Sequence, residues 1–351
     1  MDRGRAVIIG ATGQIGRVAV AALAEDGWEV CAASLGGGRD ERWPEEVRSV
    51  RLDRDDDAAL AAVVGDGAEL LVDMVAFGRQ HAHQIVGLAD RIGSAVVAST
   101  GAVYEDDEGC GFETNGEPGG SPRYPVPIPE TQRTVAPGDA TYARAKALVE
   151  RELLAAADVL PVTLLRAGAV YGPYCRTPRE LYFVQRALDG RRRRVLAYGG
   201  RSRFHPVHVS NVAELIRLAA RQPGTRVLNA GDPQAPTVAE IGAEIDAVLG
   251  RETETVLVEG PPSDGVVGTH PWAIEFPLVF DMTAAERELG YRPVTGYAES
   301  LPATVEWLVA ELRGRDWRDV FPKMVRNYGA DLLFPYEAED AWLEAYDRGE
   351  V

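Results

Sequence analysis

The feature that most constrains this chain is an apolar run that ends in a glycine-rich turn and passes straight into an amphipathic segment. Arg5–Gly10 reads R-A-V-I-I-G, and Gly13–Glu25 places Ile15, Val18, Ala19, Ala22 and Leu23 at helical spacing. The alternation continues. Glu29–Ala33, Ser49–Leu52, Leu70–Val75 and Ala95–Ser99 are further β-rich runs, with helix patterns between them, the last at Gln80–Ile92. Strands that are apolar throughout must be covered on both faces. That predicts an α/β fold: a doubly wound parallel sheet with helices on each side and right-handed crossovers.

The rhythm breaks over Glu105–Gly138, a stretch rich in glycine, proline and acids, and loops of that length usually serve function. It resumes with a helix from about Ala140 to Ala157 and a strand at Val162–Arg166. The remainder is mixed. Helix patterns cover Pro178–Leu188, Val212–Ala220, Val238–Leu249, Thr283–Leu289 and Tyr297–Leu312, with extended segments at Val207–Val209 and Arg226–Asn229. Asp316–Val351, acidic and aromatic, reads as a tail packed on the body or on a second subunit.

With 351 residues, 46% of them hydrophobic, the chain is long enough for about two globular domains. The net charge of −17 repels phosphate backbones and anionic membranes, which excludes bulk nucleic-acid binding. Cys31, Cys110 and Cys175 are too few for a disulfide framework or a zinc site, and no apolar run reaches membrane-spanning length. The N-terminus enters a strand without a signal-peptide pattern, so the expected compartment is the cytoplasm. His81 and His83 face different ways on a helix, and His205 and His208 lack a third ligand, so no metal site is expected.

The turn Gly10-Ala11-Thr12-Gly13-Gln14-Ile15-Gly16 reads as a dinucleotide loop. Glycines permit a tight turn and close backbone approach to a pyrophosphate, which rests on the helix N-terminus. With 37 glycines the triplet alone is weak, and its place between first strand and first helix carries the reading. At the end of strand two, Ala33-Ser34-Leu35-Gly36-Gly37-Gly38-Arg39 has no acid to bond a ribose 2′-hydroxyl. Ser34 and Arg39 can instead receive a 2′-phosphate, which favours NADP(H) within NAD(P)(H); the alternative is a solvated turn. Asp53 suits either an adenine amino group or a helix N-cap.

Tyr142 and Lys146 stand four apart on a predicted helix and share a face. Only Lys146 and Lys323 are lysines among 37 basic residues, so a lysine here asks why arginine did not serve. A compact ammonium can sit under a ribose and beside a phenol. At about 4 Å and an effective dielectric near 20 it supplies about 4 kcal/mol, or about three pKa units, enough to make a phenol a general acid/base near neutrality. Thr100 closes strand five, where its hydroxyl can bond a substrate oxygen and the phenol; Ser99 is the neighbouring alternative. Arg191–Arg194 reads as a solvated turn or a grip on a substrate phosphate, and Cys110 as an incidental thiol.

These motifs, in this order, resemble the extended short-chain dehydrogenase/reductases, the NAD(P)-dependent epimerase/dehydratase family. Besides the glycine loop, the resemblance rests on Ser99-Thr100-Gly101-Ala102-Val103-Tyr104, Pro129-Glu130-Thr131, Tyr142 with Lys146, and Leu165-Arg166 with Val170-Tyr171-Gly172-Pro173. It continues through Val207–Ala213, Asn229–Asp232 and Arg287–Pro293, so it spans about residues 5–310.

The resemblance implies a Rossmann domain (1–166 plus about 204–230), a smaller discontinuous C-terminal α/β substrate domain (about 167–203 and 231–312) and a tail (313–351). It implies Thr100, Tyr142 and Lys146 as the catalytic set. Ala76 and Ala169 would lie at the cofactor, Tyr171 and Arg203 at the substrate. It also implies a homodimer through the helices near Gln80–Ile92 and Ala140–Ala157. The implied activity is hydride transfer at a secondary alcohol or ketone of a nucleotide-linked sugar, by an epimerase or a ketoreductase.

Three departures matter. Gly101-Ala102 replaces the Asp-Glu of 4,6-dehydratases, Ala169 replaces a substrate-touching Asn, and Asn211 replaces an Asp. Ala169 and the irregular Glu105–Gly138 loop keep open a second reading, a reductase or isomerase of a free small-molecule biosynthetic intermediate. A non-catalytic nucleotide-binding or RNA-binding relative is opposed by the complete Thr-Tyr-Lys set and by the charge.

Overall fold

The computed structural model describes residues 3–351 and divides into two compact units. The first comprises the chain up to Val170, Val207–Asp232 and Phe280–Thr295; the second comprises Tyr171–Pro206, Pro233–Val279 and Gly296–Val351.

In the first unit the chain runs β1 (Arg5–Ile9), α1 (Gln14–Glu25), β2 (Glu29–Ser34), β3 (Arg48–Arg51), α2 (Asp57–Val64), β4 (Ala68–Asp73), α3 (Arg79–Val86), β5 (Ile92–Thr100), α4 (Tyr142–Ala155) and β6 (Val162–Ala167). Two short strands, β7 (Ala169–Tyr171) and β9 (Pro206–His208), lie where the chain passes between units. They bracket α5 (Leu181–Leu188) and β8 (Arg193–Leu196) of the second unit. The first unit regains α6 (Val209–Arg221) and β10 (Arg226–Ala230).

Seven strands form one parallel sheet in the order β10-β6-β5-β4-β1-β2-β3. The order reverses between β1 and β4, so a crevice opens at their carboxyl ends, where ligands bind in such sheets. The apolar continuity of β1 is used as expected. Ala6 and Ile8 enter one core with α1 and α6, while Val7 and Ile9 enter another with α2, α3 and α4. Residues 280–295, placed with the substrate domain from sequence, cluster with this first unit. Ala285, Leu289 and Tyr291 join the core beside α6. Asn211, wholly buried, ties the segment down by accepting from the backbone N–H groups of Val294 (2.7 Å) and Thr295 (3.2 Å) and donating to Asp232 (2.7 Å).

The second unit continues with α7 (Val238–Val248) and β11 (Glu254–Leu257), which pairs in parallel with β8. After α8 (Thr283–Leu289) of the first unit come α9 (Tyr297–Leu312), α10 (Trp317–Val320), α11 (Pro322–Tyr328), α12 (Ala330–Leu333) and α13 (Tyr336–Asp347). The tail is therefore helical and belongs to the second unit. Arg191 pairs with Asp340, Arg193 with Asp347 and Glu254, and Arg194 with Asp246. This corrects the reading of the arginine run as a solvated turn for three of its four members, which acids from α13, β11 and α7 pair; Arg192 is exposed. Arg186, 4% exposed, meets Glu339, 0% exposed, at 2.7 Å.

Two histidines favour unfolding as the pH falls. Burial holds His208 at a pKa of about 4 and His270 at about 3, against 6.5 when unfolded. Between pH 6.5 and those values the unfolded chain binds more protons, so stability falls as pH falls. Each histidine contributes about 1.4 kcal/mol per pH unit in its window. Glu130 and Glu180, whose carboxyl pKa values burial raises, act in the opposite sense over the same range, so the test is by difference: the drop in melting temperature from pH 6.5 to 4.5 is expected to be smaller in His208→Gln than in the wild type, and equal drops contradict the burial effect.

Candidate active site

The glycine loop follows β1 directly. Gly10 has φ +83°, and a Cβ on Gly16 would sit 2.3 Å from the Gly10 carbonyl oxygen. The first turn of α1 has no acidic residue and its N-cap, Gly13, makes no side-chain cap. The loop therefore offers backbone N–H groups and space for a pyrophosphate, with Thr12, Gln14 and Ile15 along its rim, and these residues fit the cofactor the motif implies.

The loop after β2 differs from expectation. Arg39 donates to the carbonyl oxygens of Val47 (2.5 Å), Trp43 (3.0 Å) and Pro44, so its guanidinium is tied into its own loop. Asp40 holds Arg17 and Arg42, and their guanidinium groups keep its carboxyl below the carboxylate range. Ser34 is 5% exposed and its hydroxyl has no hydrogen-bond partner among the described residues. Asp53 is exposed and accepts from Asp55 N–H (3.1 Å), while Asp56 is the N-cap of α2.

At the ends of β4 and β5 lies the other half of the site. Helix α4 begins at Tyr142, capped by Thr141 and by Glu113 of the long loop, whose carboxylate accepts from Ala143 N–H at 3.0 Å. Tyr142, Lys146 and Glu150, four apart, descend one face from mouth to interior. Tyr142 is 43% exposed, and its hydroxyl is paired with the Thr100 side chain. Burial raises the phenol above its ordinary pKa, and the Thr100 hydrogen bond lowers it by less. Lys146 is 4% exposed and donates to Ala76 O (2.8 Å) and Ala98 O (2.9 Å). Burial pushes its pKa down to about 8 against the pull of Asp73 and Glu150. The expected acidification of Tyr142 by Lys146 is therefore corrected. In this structure the ammonium is engaged by two backbone carbonyls, and the phenol answers to burial and Thr100.

Ser99 is not an alternative to Thr100. Its hydroxyl donates to Glu150 Oε1 (2.5 Å) inside the protein, whereas Thr100 stays at the strand end and accepts from Ala102 N–H (3.2 Å). Besides Arg186–Glu339, two buried ion pairs of the first unit escaped the sequence reading. Arg166 meets Glu150 at 2.7 Å, and Arg54 meets Asp73 at 2.8 Å. The glutamate one turn beyond Lys146 was the available signal for the first; nothing local marked the second. Gly101 also has a reason: a Cβ there would lie 2.1 Å from Cζ of Phe280. Ala169 is 5% exposed. Within the second unit, Tyr171 is 2% exposed with its hydroxyl 2.6 Å from Ser300 Oγ, and Arg203 is exposed. Among the described residues no group of three metal-ligating side chains gathers, and no helix is long and apolar enough to cross a membrane. An open groove lined by Leu60, Arg79, His83 and Arg91 contains none of these site residues.

With a parallel sheet, a glycine loop and a Tyr-Lys helix, the fold and site define a dinucleotide-dependent enzyme of the short-chain dehydrogenase/reductase type. The chain belongs to the NAD dependent epimerase/dehydratase family, whose model matches residues 6–231. Among solved structures it is similar to a UDP-glucose 4-epimerase from Thermotoga maritima with UDP-glucose, with 21% identity, TM-score 0.68, and 88% of this chain and 99% of that one covered. A UDP-N-acetylglucosamine 4-epimerase from Methanobrevibacter ruminantium in complex with UDP-N-acetylmuramic acid gives 19%, 0.68, 89% and 100%. A dTDP-glucose 4,6-dehydratase from Bacillus anthracis in complex with NAD gives 18%, 0.66, 90% and 99%. At these identities the likeness is one of fold. No curated protein matches the sequence.

Proposed function

We propose that the protein moves a hydride at a secondary alcohol or ketone, with Thr100, Tyr142 and Lys146 as its catalytic set. The observation that carries this is the buried Lys146, one of two lysines in the chain, one helical turn below a phenol that meets Thr100 at the carboxyl end of the sheet. The Tyr142 hydroxyl takes the proton from, or returns it to, the substrate oxygen, and Thr100 aligns that oxygen. Lys146 would hold the cofactor ribose and, once drawn from its contacts with Ala76 O and Ala98 O, would bring positive charge toward the phenol. A bound nicotinamide supplies the hydride acceptor or donor.

The preference for NADP(H) rested on Ser34 and Arg39. The tethered Arg39 withdraws one of these supports, and the reading moves to NAD(H), the cofactor of the family. For the substrate, a nucleotide-linked sugar follows from the family and from the molecules named with its structural neighbours. Phe280 filling the space beside Gly101 speaks against 4,6-dehydration, since no acid fits there. Ala169 favours the second reading, a free carbonyl compound. A homodimer through α3 and α4, in the cytoplasm, is the setting proposed for either.

Thermal shift separates the substrates. A nucleoside diphosphate at a hundred times its Kd contributes about 2.7 kcal/mol. A nucleotide-sugar enzyme is therefore expected to gain a few degrees in Tm with one of UDP, dTDP or GDP. No shift with any of them, beside a shift with NAD(H), selects the free substrate.

A further inference from the structure

An ammonium has three N–H donors and no acceptor. Two of those on Lys146 reach Ala76 O and Ala98 O. The remaining side of Nζ faces an aromatic ring: it lies 4.9 Å from the centroid of Phe77. The same ring meets Tyr142 at 5.3 Å between centroids, with the planes at 46°. Phe77 thus lies against both members of the pair, beside the one N–H of Lys146 for which no oxygen acceptor is seen among the described residues.

The backbone carrying this ring is clamped. Asp73, fixed by Arg54, accepts from Val75 N–H (2.8 Å). His81 Nδ1 accepts from Phe77 N–H (2.7 Å), which leaves its Nε2 to donate to Asp55 (2.7 Å). Phe77 nevertheless exposes 55% of its surface. The ring can turn about its side-chain bonds while its backbone stays put. An exposed phenylalanine held this way serves what it covers.

We propose that Phe77 is a positioning residue of the site: its ring occupies the third donor direction of Lys146, screens the ammonium from water and from the Tyr142 phenol, and turns aside when a ligand hydroxyl takes its place. The last step rests on the reading of Lys146 as facing the cofactor ribose; the screening does not. It keeps the ammonium on Ala76 O and Ala98 O although Lys146 shares a helix face with the phenol. It also makes Phe77 a competitor of the dinucleotide for Lys146.

Because the chain has only two lysines, protein labelled with 13C at lysine Cε gives two titrating signals, and Lys146 can be followed directly by NMR. In the wild type its midpoint is expected near pH 8. In Phe77→Ala water reaches the ammonium and the midpoint is expected to rise by a unit or more, while Phe77→Leu, which keeps the bulk, leaves it within half a unit of wild type or lower. NADH, followed by fluorescence, is expected to bind Phe77→Ala three- to tenfold more tightly, since no ring has to be displaced. An unmoved Lys146 midpoint in Phe77→Ala overturns the screening. Unchanged or weaker NADH binding in that variant, with the midpoint raised, overturns the displacement. If wild-type protein binds neither NADH nor NADPH, the catalytic reading fails, and the titration still decides what Phe77 does to Lys146.

Discussion

Tyr142→Phe is expected to lower kcat by about a thousandfold or more, in the range by which a positioned acid/base accelerates proton transfer, and to leave dinucleotide affinity within twofold of wild type. The substitution removes one oxygen. The ring that meets Phe77 remains, and so does the helix N-terminus capped by Thr141 and Glu113. Since Tyr142 is 43% exposed, the change in folding stability is expected to stay within about 0.5 kcal/mol. Turnover and NADH binding, measured on the same preparation, separate a chemical role from a binding one. Activity within tenfold of wild type would remove the phenol from the mechanism and, with it, the assignment of Thr100 and Lys146.

What could be read from the sequence was what the chain encodes locally. The strands of the sheet were legible because parallel strands covered on both faces stay apolar from end to end, as β1 does with alternate residues in two cores. The Tyr142–Lys146 face was legible because four residues make one helical turn. Contacts closed by distant parts of the chain were not. Arg191, Arg193 and Arg194 read as a solvated run because their acids stand as far away as Asp340 and Asp347. Arg39 read as an anion ligand because its carbonyl partners carry no residue-type signature. The segment 280–295 gives no sign in composition that it returns to the first unit; that follows from Asn211 and a buried apolar face.

The expected acidification of the phenol failed for a similar reason. Coulomb's law gives about 4 kcal/mol for a cation at about 4 Å in an effective dielectric near 20, but only if the cation points there. Helical spacing places two side chains on one face and leaves their ends undetermined. Here the end of Lys146 is set by Ala76 O, Ala98 O and Phe77, all from neighbouring strand ends. The mechanism therefore requires a change at Lys146 when ligand binds.

Removing either partner of the Glu150–Arg166 pair is expected to be the most destabilising single change in the first unit, at about 3–5 kcal/mol. Glu150 is 4% and Arg166 5% exposed. Burial works against the charge on Arg166, and Glu150 overcomes it, so the guanidinium stays charged. Arg166 also donates to Glu130 O (2.9 Å) and lies 4.8 Å from the centre of the Tyr104 ring, while Glu150 accepts from Ser99. Glu150→Gln leaves a buried cation without its counter-ion, and Arg166→Met does the reverse. The pair replaced together by Gln and Met is expected to lose less than the sum of the singles, because no unpaired charge remains. Urea unfolding of the two singles and the double gives the coupling, and a loss under about 1 kcal/mol in both singles would contradict it. The same variants report on the site. Glu150 pulls the Lys146 pKa upward, so Glu150→Gln is expected to move the Lys146 titration below pH 8, the opposite direction to Phe77→Ala. A carboxylate beneath the ammonium and an aromatic ring above it would then set its charge from two sides, and one NMR signal would read both.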